Sequence, residues 1–228
     1  MNIAIAVDID GVLSDFLEQW YKVVNQLYPD RIPPGYAPQD FWHSDMLSRE
    51  EAKLSLDKTF QIYNFWLTLS PLKAVERLAR VLPLTADYLS IYYVTHRPET
   101  PGMPALAQTK MWLSKHNLLT SNTSVIVVPD SKAKPAIYSA LHIKLSLDDR
   151  ADTVQNCLEI PGHIALLYDA SWSRADVSLS RIRYVENFLL FSGVIAGMPI
   201  EYLHSLDLLH LLDWPIDCNP STCSDTVY

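Results

Sequence analysis

The chain has 228 residues, 49% of them apolar, enough to bury a full core as one α/β domain with an insertion or as two small domains. Its formal net charge of -8 leaves no basic footprint for duplex nucleic acid, although a small anionic substrate stays open to it. Three cysteines (Cys157, Cys218 and Cys223), with no Cys-x-x-Cys, argue against a disulfide framework or a zinc site.

Ile3 to Val7 is an apolar run without strict alternation, as expected of a parallel strand covered on both faces. It ends in Asp8-Ile-Asp-Gly11. Two carboxylates two residues apart at a buried strand end repel one another, and a divalent cation between them removes that cost. Ligands of open α/β sheets bind outside such strand ends. A helix follows Gly11, with Phe16, Leu17, Trp20, Val23, Val24 and Leu27 on one apolar face and an end near Tyr28-Pro29. Residues 30–45 are rich in proline and carry Phe41, Trp42 and His43. Ser48-Arg-Glu-Glu51 is a capping box that opens a helix with Ala52, Leu54, Leu56 and Phe60. Residues 29–68 thus form a small helical insertion placed to cover a site at the first strand. Its aromatics serve equally well as core or as a stacking surface.

A helix is expected over 72–82, then a second strand over 88–94 running into Thr95-His-Arg97. A hydroxyl at a strand end suits a phosphoryl oxygen. His96 and Arg97 are candidate substrate contacts at the rim, and nothing places a nucleophile beside His96 to make it a general base. A helix from about Ala105 should turn Met111, Trp112 and Leu118 inward. Ser124 to Val128 is the third strand. Lys132 and Lys134 fall at the following strand-to-helix junction, with Pro135 in the first helical turn. One of the two lysines is expected to reach back into the site. The fourth strand, Ile143 to Leu147, runs into Asp148-Asp-Arg150, a second acidic strand end. Val154 and Leu158 open another helix. His163 to Tyr168 is a fifth strand and 182–185 a short sixth, with a helix starting over 185–191. A leucine-rich turn spans 203–212, and 213–228 should be poorly ordered.

Together these strand ends supply what phosphoryl transfer needs. Asp8 offers a carboxylate. Asp10 can give its backbone carbonyl to a metal and keep its side chain free. Asp148 and Asp149 complete an all-oxygen shell that suits Mg2+. Thr95 and a lysine remain for the anion. A carboxylate attacks in line, and Asp10 protonates the leaving oxygen and later deprotonates water.

The order Asp8-Ile-Asp-Gly-Val12, Tyr93-Val-Thr95, a lysine opening a helix, then Leu147-Asp-Asp-Arg150 resembles the haloacid dehalogenase-like hydrolase superfamily. Within it the chain is similar to the small 5'-nucleotidases, including the 5'(3')-deoxyribonucleotidases. The resemblance runs from residue 3 to about 150. It implies Asp8 as nucleophile, Asp10 as acid/base, Thr95 on phosphate, and Lys134 as the site lysine, with Lys132 the alternative. It implies metal ligation by Asp8, the Asp10 carbonyl and the acidic pair, with Asp149 the direct ligand and Asp148 acting on a metal water or on the lysine. The insertion stands where the family carries a cap that contacts base and sugar, and Phe16, Phe41 and Trp42 are the stacking candidates. Thr95-His-Arg-Pro98 resembles forms in the uncharacterised branch as much as the characterised enzymes, and the stretch after about 195 matches no family pattern.

The expected architecture is therefore a three-layer Rossmann-like parallel sheet. Residues 1–28 and 69–198 form the core, 29–68 the cap, and 199–228 a C-terminal extension. The expected activity is Mg2+-dependent hydrolysis of a (deoxy)nucleoside monophosphate through an aspartyl-phosphate. Two alternatives are a phosphatase for another small phosphoester or a nucleic-acid 3'-end phosphate, and an idle binding module. No apolar run reaches the roughly 18 residues of a spanning helix, and no basic region precedes a cleavable apolar core. A cytoplasmic protein without a membrane partner is expected, its oligomeric state open, with a dimer among the options.

Overall fold

The computed structural model describes residues 3–36, 43, 45–87, 89–168 and 183–185. Six parallel strands form the central sheet: β1 (Ile3–Val7), β4 (Leu89–His96), β5 (Thr123–Val128), β6 (Leu145–Asp148), β7 (Ile164–Tyr168) and β8 (Arg183–Val185), in the order β5-β4-β1-β6-β7-β8. Because β1 lies between β4 and β6 and all three run the same way, Asp8, Thr95 and Asp148 end on one edge. The shared site expected from the sequence requires this.

Alternation along the strands divides the core into two layers. Ile5, Val7, Tyr93 and Leu147 face one cluster with Val75 and Leu78 of α3 (Ala74–Val81) and Trp112 and Leu113 of α4 (Ala105–Lys115). Ala6, Val94 and Leu167 face the other, with Tyr138 of α5 (Lys134–Ala140) and Val154 and Cys157 of α6 (Ala151–Cys157). Helices on both faces explain why the strand sequences read as continuous apolar runs. Trp112 on α4 and Leu118 just beyond it are buried as expected, but Met111 is 51% exposed. It follows Lys110 on the outer side of the helix, so its hydrophobicity misled the periodic reading.

After β1 the chain does not pass straight into a helix. The amides of Val12, Leu13 and Ser14 all donate to the Ile9 carbonyl, folding residues 9–14 into a tight turn. Ser14–Asp15 then forms β2, antiparallel to β3 (Ser70–Pro71). This two-stranded ribbon brackets the insertion. Inside it, α1 (Phe16–Leu27) is capped by Asp15, whose side chain accepts from the Glu18 amide at 2.9 Å. The second helix, α2 (Arg49–Thr59), opens with both bonds of the predicted capping box. Trp20 and Val24 of α1 pack with Ile32, Leu47 and Ala52, and Trp20 Nε1 donates to Ser55 Oγ at 2.8 Å. The sequence grouped α1 with the sheet, but α1 shares its hydrophobic cluster with the insertion. Leu54, counted on the apolar face of α2, is 45% exposed. Among the described residues no helix is long and apolar enough to cross a membrane. The expected helix after 185, the leucine-rich turn and the C-terminal stretch lie outside the described residues.

Candidate active site

The site is built on the ends of β1, β4 and β6 and on the first turn of α5. Asp8 follows β1 directly. Its amide donates to the Leu147 carbonyl at 2.9 Å, so the sheet ladder fixes its backbone. Its Oδ1 accepts from the Ile9 amide at 2.7 Å, and its Oδ2 lies 2.8 Å from Lys134 Nζ. Lys134 is 1% exposed and also donates to Asp148 Oδ2 at 2.6 Å. Burial alone would lower the pKa of this ammonium. The facing Asp148 and Asp8 carboxylates outweigh it and hold the pKa well above the usual lysine value. Lys132 is exposed, its backbone amide donates to Asp130 at 3.0 Å, and it is absent from the cavity lining. The structure thus separates the two lysines that the sequence left open: Lys134 is in the site and Lys132 is not.

One carboxylate oxygen from each of Asp8, Asp148 and Asp149 falls within 4.8 Å of the others, and all three residues are buried. Burial pushes the Asp8 carboxyl up to about 7. Lys134 opposes that shift, while Asp148 and Asp10 add to it. A buried all-oxygen cluster of this kind fits a hard divalent cation. Asp148 gives its Oδ1 to the Arg150 amide at 2.9 Å and its Oδ2 to Lys134, leaving it tied down from two sides. Gly11 permits the cluster. It adopts a φ of +84°, and a Cβ there would sit 2.1 Å from Asp149 Oδ2.

Asp10 departs from expectation. Its side chain is not free. Oδ1 accepts from Ser14 Oγ and Arg97 Nη2, both at 2.7 Å, and Oδ2 accepts from Arg97 Nε at 2.9 Å and Thr95 Oγ1 at 3.2 Å. Burial would raise its pKa, but the Arg97 guanidinium and these hydrogen bonds hold it below the usual carboxylate value. Arg97 is likewise not the rim contact that the sequence suggested. It is 2% exposed, pointed inward at Asp10 and covered by the Trp66 ring, 4.9 Å from Cζ to centroid. An arginine beside a strand-end threonine reads as an anion contact, and only the fold shows that its anion is a carboxylate of the same chain.

Above the carboxylates lies a cavity of about 280 Å³. Asp8, Asp10, Thr95, Lys134 and Asp149 line its polar end, and Phe16, Phe60 and Trp66 of the insertion line the other. Phe16 is the centre of this aromatic group, its ring 5.8 Å from Phe65, 6.2 Å from Phe60 and 6.3 Å from Trp66. His96 is exposed and reaches the lining, as expected of a rim residue. Phe41 and Trp42 lie outside the described residues. Ser131, His43 and Arg150 also line the cavity, and sequence reasoning did not select them. Ser131 adjoins the two lysines and Arg150 closes the Leu147-Asp-Asp-Arg150 motif, so their positions were available. No residue pattern marked His43.

Comparison with known proteins agrees with this geometry. The family described as 5' nucleotidase, deoxy (pyrimidine), cytosolic type C protein matches residues 2–176. Among solved structures, a haloacid dehalogenase-like family hydrolase from Streptococcus pneumoniae superposes with a TM-score of 0.57 at 11% identity, covering 85% of this chain and 98% of its own. A haloacid dehalogenase-like family hydrolase from Xanthomonas campestris gives 0.50 at 12% identity, covering 88% and 97%. At such identity these two carry the fold alone. A search of curated proteins gave no match. The chain belongs to the cytosolic type C 5' nucleotidase family, on the haloacid dehalogenase-like fold, and is a phosphatase.

Proposed function

We propose that this member of the 5' nucleotidase family hydrolyses nucleoside monophosphates, with Asp8 as nucleophile, Asp10 as acid/base and Mg2+ as the cation. The observation that carries the reading is Asp8 itself. It is held between Lys134 and an acidic pair at the floor of a cavity whose upper wall is aromatic. The floor answers the phosphate and the wall answers a flat base, which stacks on aromatic rings for about 1–3 kcal/mol.

In the first step a carboxylate oxygen of Asp8 attacks phosphorus as the bond from phosphorus to the ester oxygen breaks, and Asp10, which its hydrogen bonds hold ionised and which must first take up a proton from solvent, gives that proton to the leaving oxygen. In the second step water attacks the phosphorus of the aspartyl-phosphate, its proton passes to Asp10, and Asp8 is regenerated with release of phosphate. Lys134 offsets negative charge on the transferring group, and Thr95 stands where its hydroxyl can turn toward a phosphoryl oxygen. Mg2+, held by Asp8, Asp149 and the Asp10 carbonyl with Asp148 behind them, would neutralise charge on the phosphoryl oxygens.

A panel of phosphoesters tests this, with and without Mg2+: ribo- and deoxyribonucleoside 5'- and 3'-monophosphates of purines and pyrimidines, glycerol phosphate, 4-nitrophenyl phosphate and a 3'-phosphorylated oligonucleotide. Mg2+-dependent turnover with the highest kcat/KM among nucleoside monophosphates supports the reading. Preference for glycerol phosphate or the oligonucleotide overturns the substrate class, and no turnover of any ester overturns the activity.

A further inference from the structure

The Asp10 carboxylate, as it stands, cannot exchange a proton with a substrate. An ionised carboxylate offers about four lone-pair positions. Here Ser14, Thr95 and the two nitrogens of the Arg97 fork supply four donors. The fork is itself fixed. Arg97 Nη1 donates to Thr109 Oγ1 of α4 at 3.1 Å, and Nη2 also reaches Ser14 Oγ at 3.4 Å. The Trp66 ring closes the remaining face. Trp66 sits in the 3-10 turn Phe65–Leu67 at the end of the insertion. It is anchored by its Nε1 on the Pro98 carbonyl at 2.9 Å and by its amide on Gln108 Oε1 at 3.0 Å. Ser14 belongs to the ribbon from which the insertion departs. Arg97 therefore touches the acid/base carboxylate, the sheet domain and both ends of the insertion at once.

We propose that Arg97 is a positioning residue for Asp10. Its guanidinium seats the carboxylate at the edge of the cavity, and the insertion sets that seat through Trp66 and Ser14. The proposal rests on the reading of Asp10 as acid/base. A bidentate fork fixes both the place and the plane of a carboxylate, which a point charge cannot do. Chemistry then needs only one of the four bonds to be given up, and the longest is that from Thr95, the hydroxyl nearest the expected phosphate. Arg97 is absent from the cavity lining, and of the lining residues it touches Asp10 through two hydrogen bonds and Trp66 through its ring face, so coupling to Asp10 is what the test must isolate.

The test is a double-mutant cycle of Arg97→Met and Asp10→Asn, read by steady-state kinetics on 4-nitrophenyl phosphate with Mg2+. A misplacement of about 1 Å can cost about a hundredfold in rate. Arg97→Met in the wild-type background should therefore lower kcat about a hundredfold and leave KM within about twofold. In the Asp10→Asn background the same substitution should change kcat by less than about twofold, since the carboxylate it positions is already disabled. Arg97→Lys keeps the cation without the fork and should recover kcat to no more than about a tenth of wild type. Thermal melts establish that each variant folds, and if Arg97→Met does not, Arg97→Lys carries the same cycle. Independent, additive losses would overturn the proposal, as would a raised KM at unchanged kcat or full recovery by Arg97→Lys. A wild type inactive on every phosphoester defeats the proposed function, and this inference with it. An active wild type with an additive cycle defeats the inference alone.

Discussion

Lys134→Ala removes a buried cation that bridges two carboxylates, and its consequences divide into two measurable parts. Nζ lies 2.8 Å from Asp8 and 2.6 Å from Asp148, with all three side chains at most 7% exposed. Removing one partner from a buried ion pair costs about 3–5 kcal/mol, because the other charge stays buried without its counterion. Here two carboxylates lose the same partner, but Asp8 can take up a proton, since burial already pushes its carboxyl up to about 7. The stability loss should therefore fall near the lower end of that range. The catalytic loss is separate. Deleting a preorganised donor to developing charge lowers kcat by about 100- to 1,000-fold, or about 2.7–4 kcal/mol. Lys132→Ala is the matched control. Its side chain is exposed, and such a substitution changes stability by about 0.5 kcal/mol or less. Urea unfolding followed by near-ultraviolet circular dichroism gives the first quantity, and kcat on a saturating phosphoester with Mg2+ gives the second. Equal, small effects for the two lysines would refute the reasoning, because they would mean the Lys134 ammonium carries neither the fold nor the reaction.

Asp8→Asn should abolish turnover while leaving the melting transition in place, and mass spectrometry of quenched wild-type enzyme should find phosphate on Asp8 and on no other residue. Gly11→Ala should push against Asp149 Oδ2 and weaken Mg2+ binding by roughly 10- to 100-fold, as seen by calorimetric titration, with the sheet intact. The response to pH follows from Asp8. Its folded pKa is raised from 3.8 to about 7, so the stability that its protonated form confers is complete below 3.8 and lost as pH rises through about 7. A divalent cation substitutes for that proton, so Mg2+ should raise the melting temperature more at pH 8 than at pH 6, and an equal or larger rise at pH 6 would count against the assigned cluster.

Much of this architecture was legible because it rests on periodicity and punctuation. The inner strands read as apolar runs, and each of the six lies within a few residues of its expected place. The capping box at Ser48 and Glu51 and the early proline of α5 are local signals with local causes. The β2–β3 ribbon was not legible. Two residues on each strand carry no alternation, and the pairing joins Ser14 to Pro71 across 56 intervening residues. Without the ribbon nothing in the sequence assigns α1 to the insertion, since its apolar stripe would pack on a sheet as well as on α2.

The site divides along the same line. Asp8, Asp10, Asp148 and Asp149 were found because charge at a buried strand end is costly enough to demand a purpose, and position along the chain fixes which edge they share. The partner of each charge is a tertiary fact. Lys134 and Arg97 are both basic residues just beyond strand ends, yet one faces the cluster of Asp8, Asp148 and Asp149 and the other faces only Asp10. Arg150, the remaining cation of the lining, is paired with Asp152 at 2.7 Å on the outer side. Four carboxylates thus converge on one edge against two buried cations. Arg97 holds Asp10, while Lys134 bridges Asp8 and Asp148 and the Arg150 guanidinium acts on Asp148 and Asp149. Three buried carboxylates whose oxygens converge in this way are suited to one divalent ion. Burial, with Asp148 and Asp10 adding to it, raises the pKa of Asp8, so the same oxygens that suit a cation also take up a proton, which is why removal of the cation and the uptake of a proton are expected to be linked.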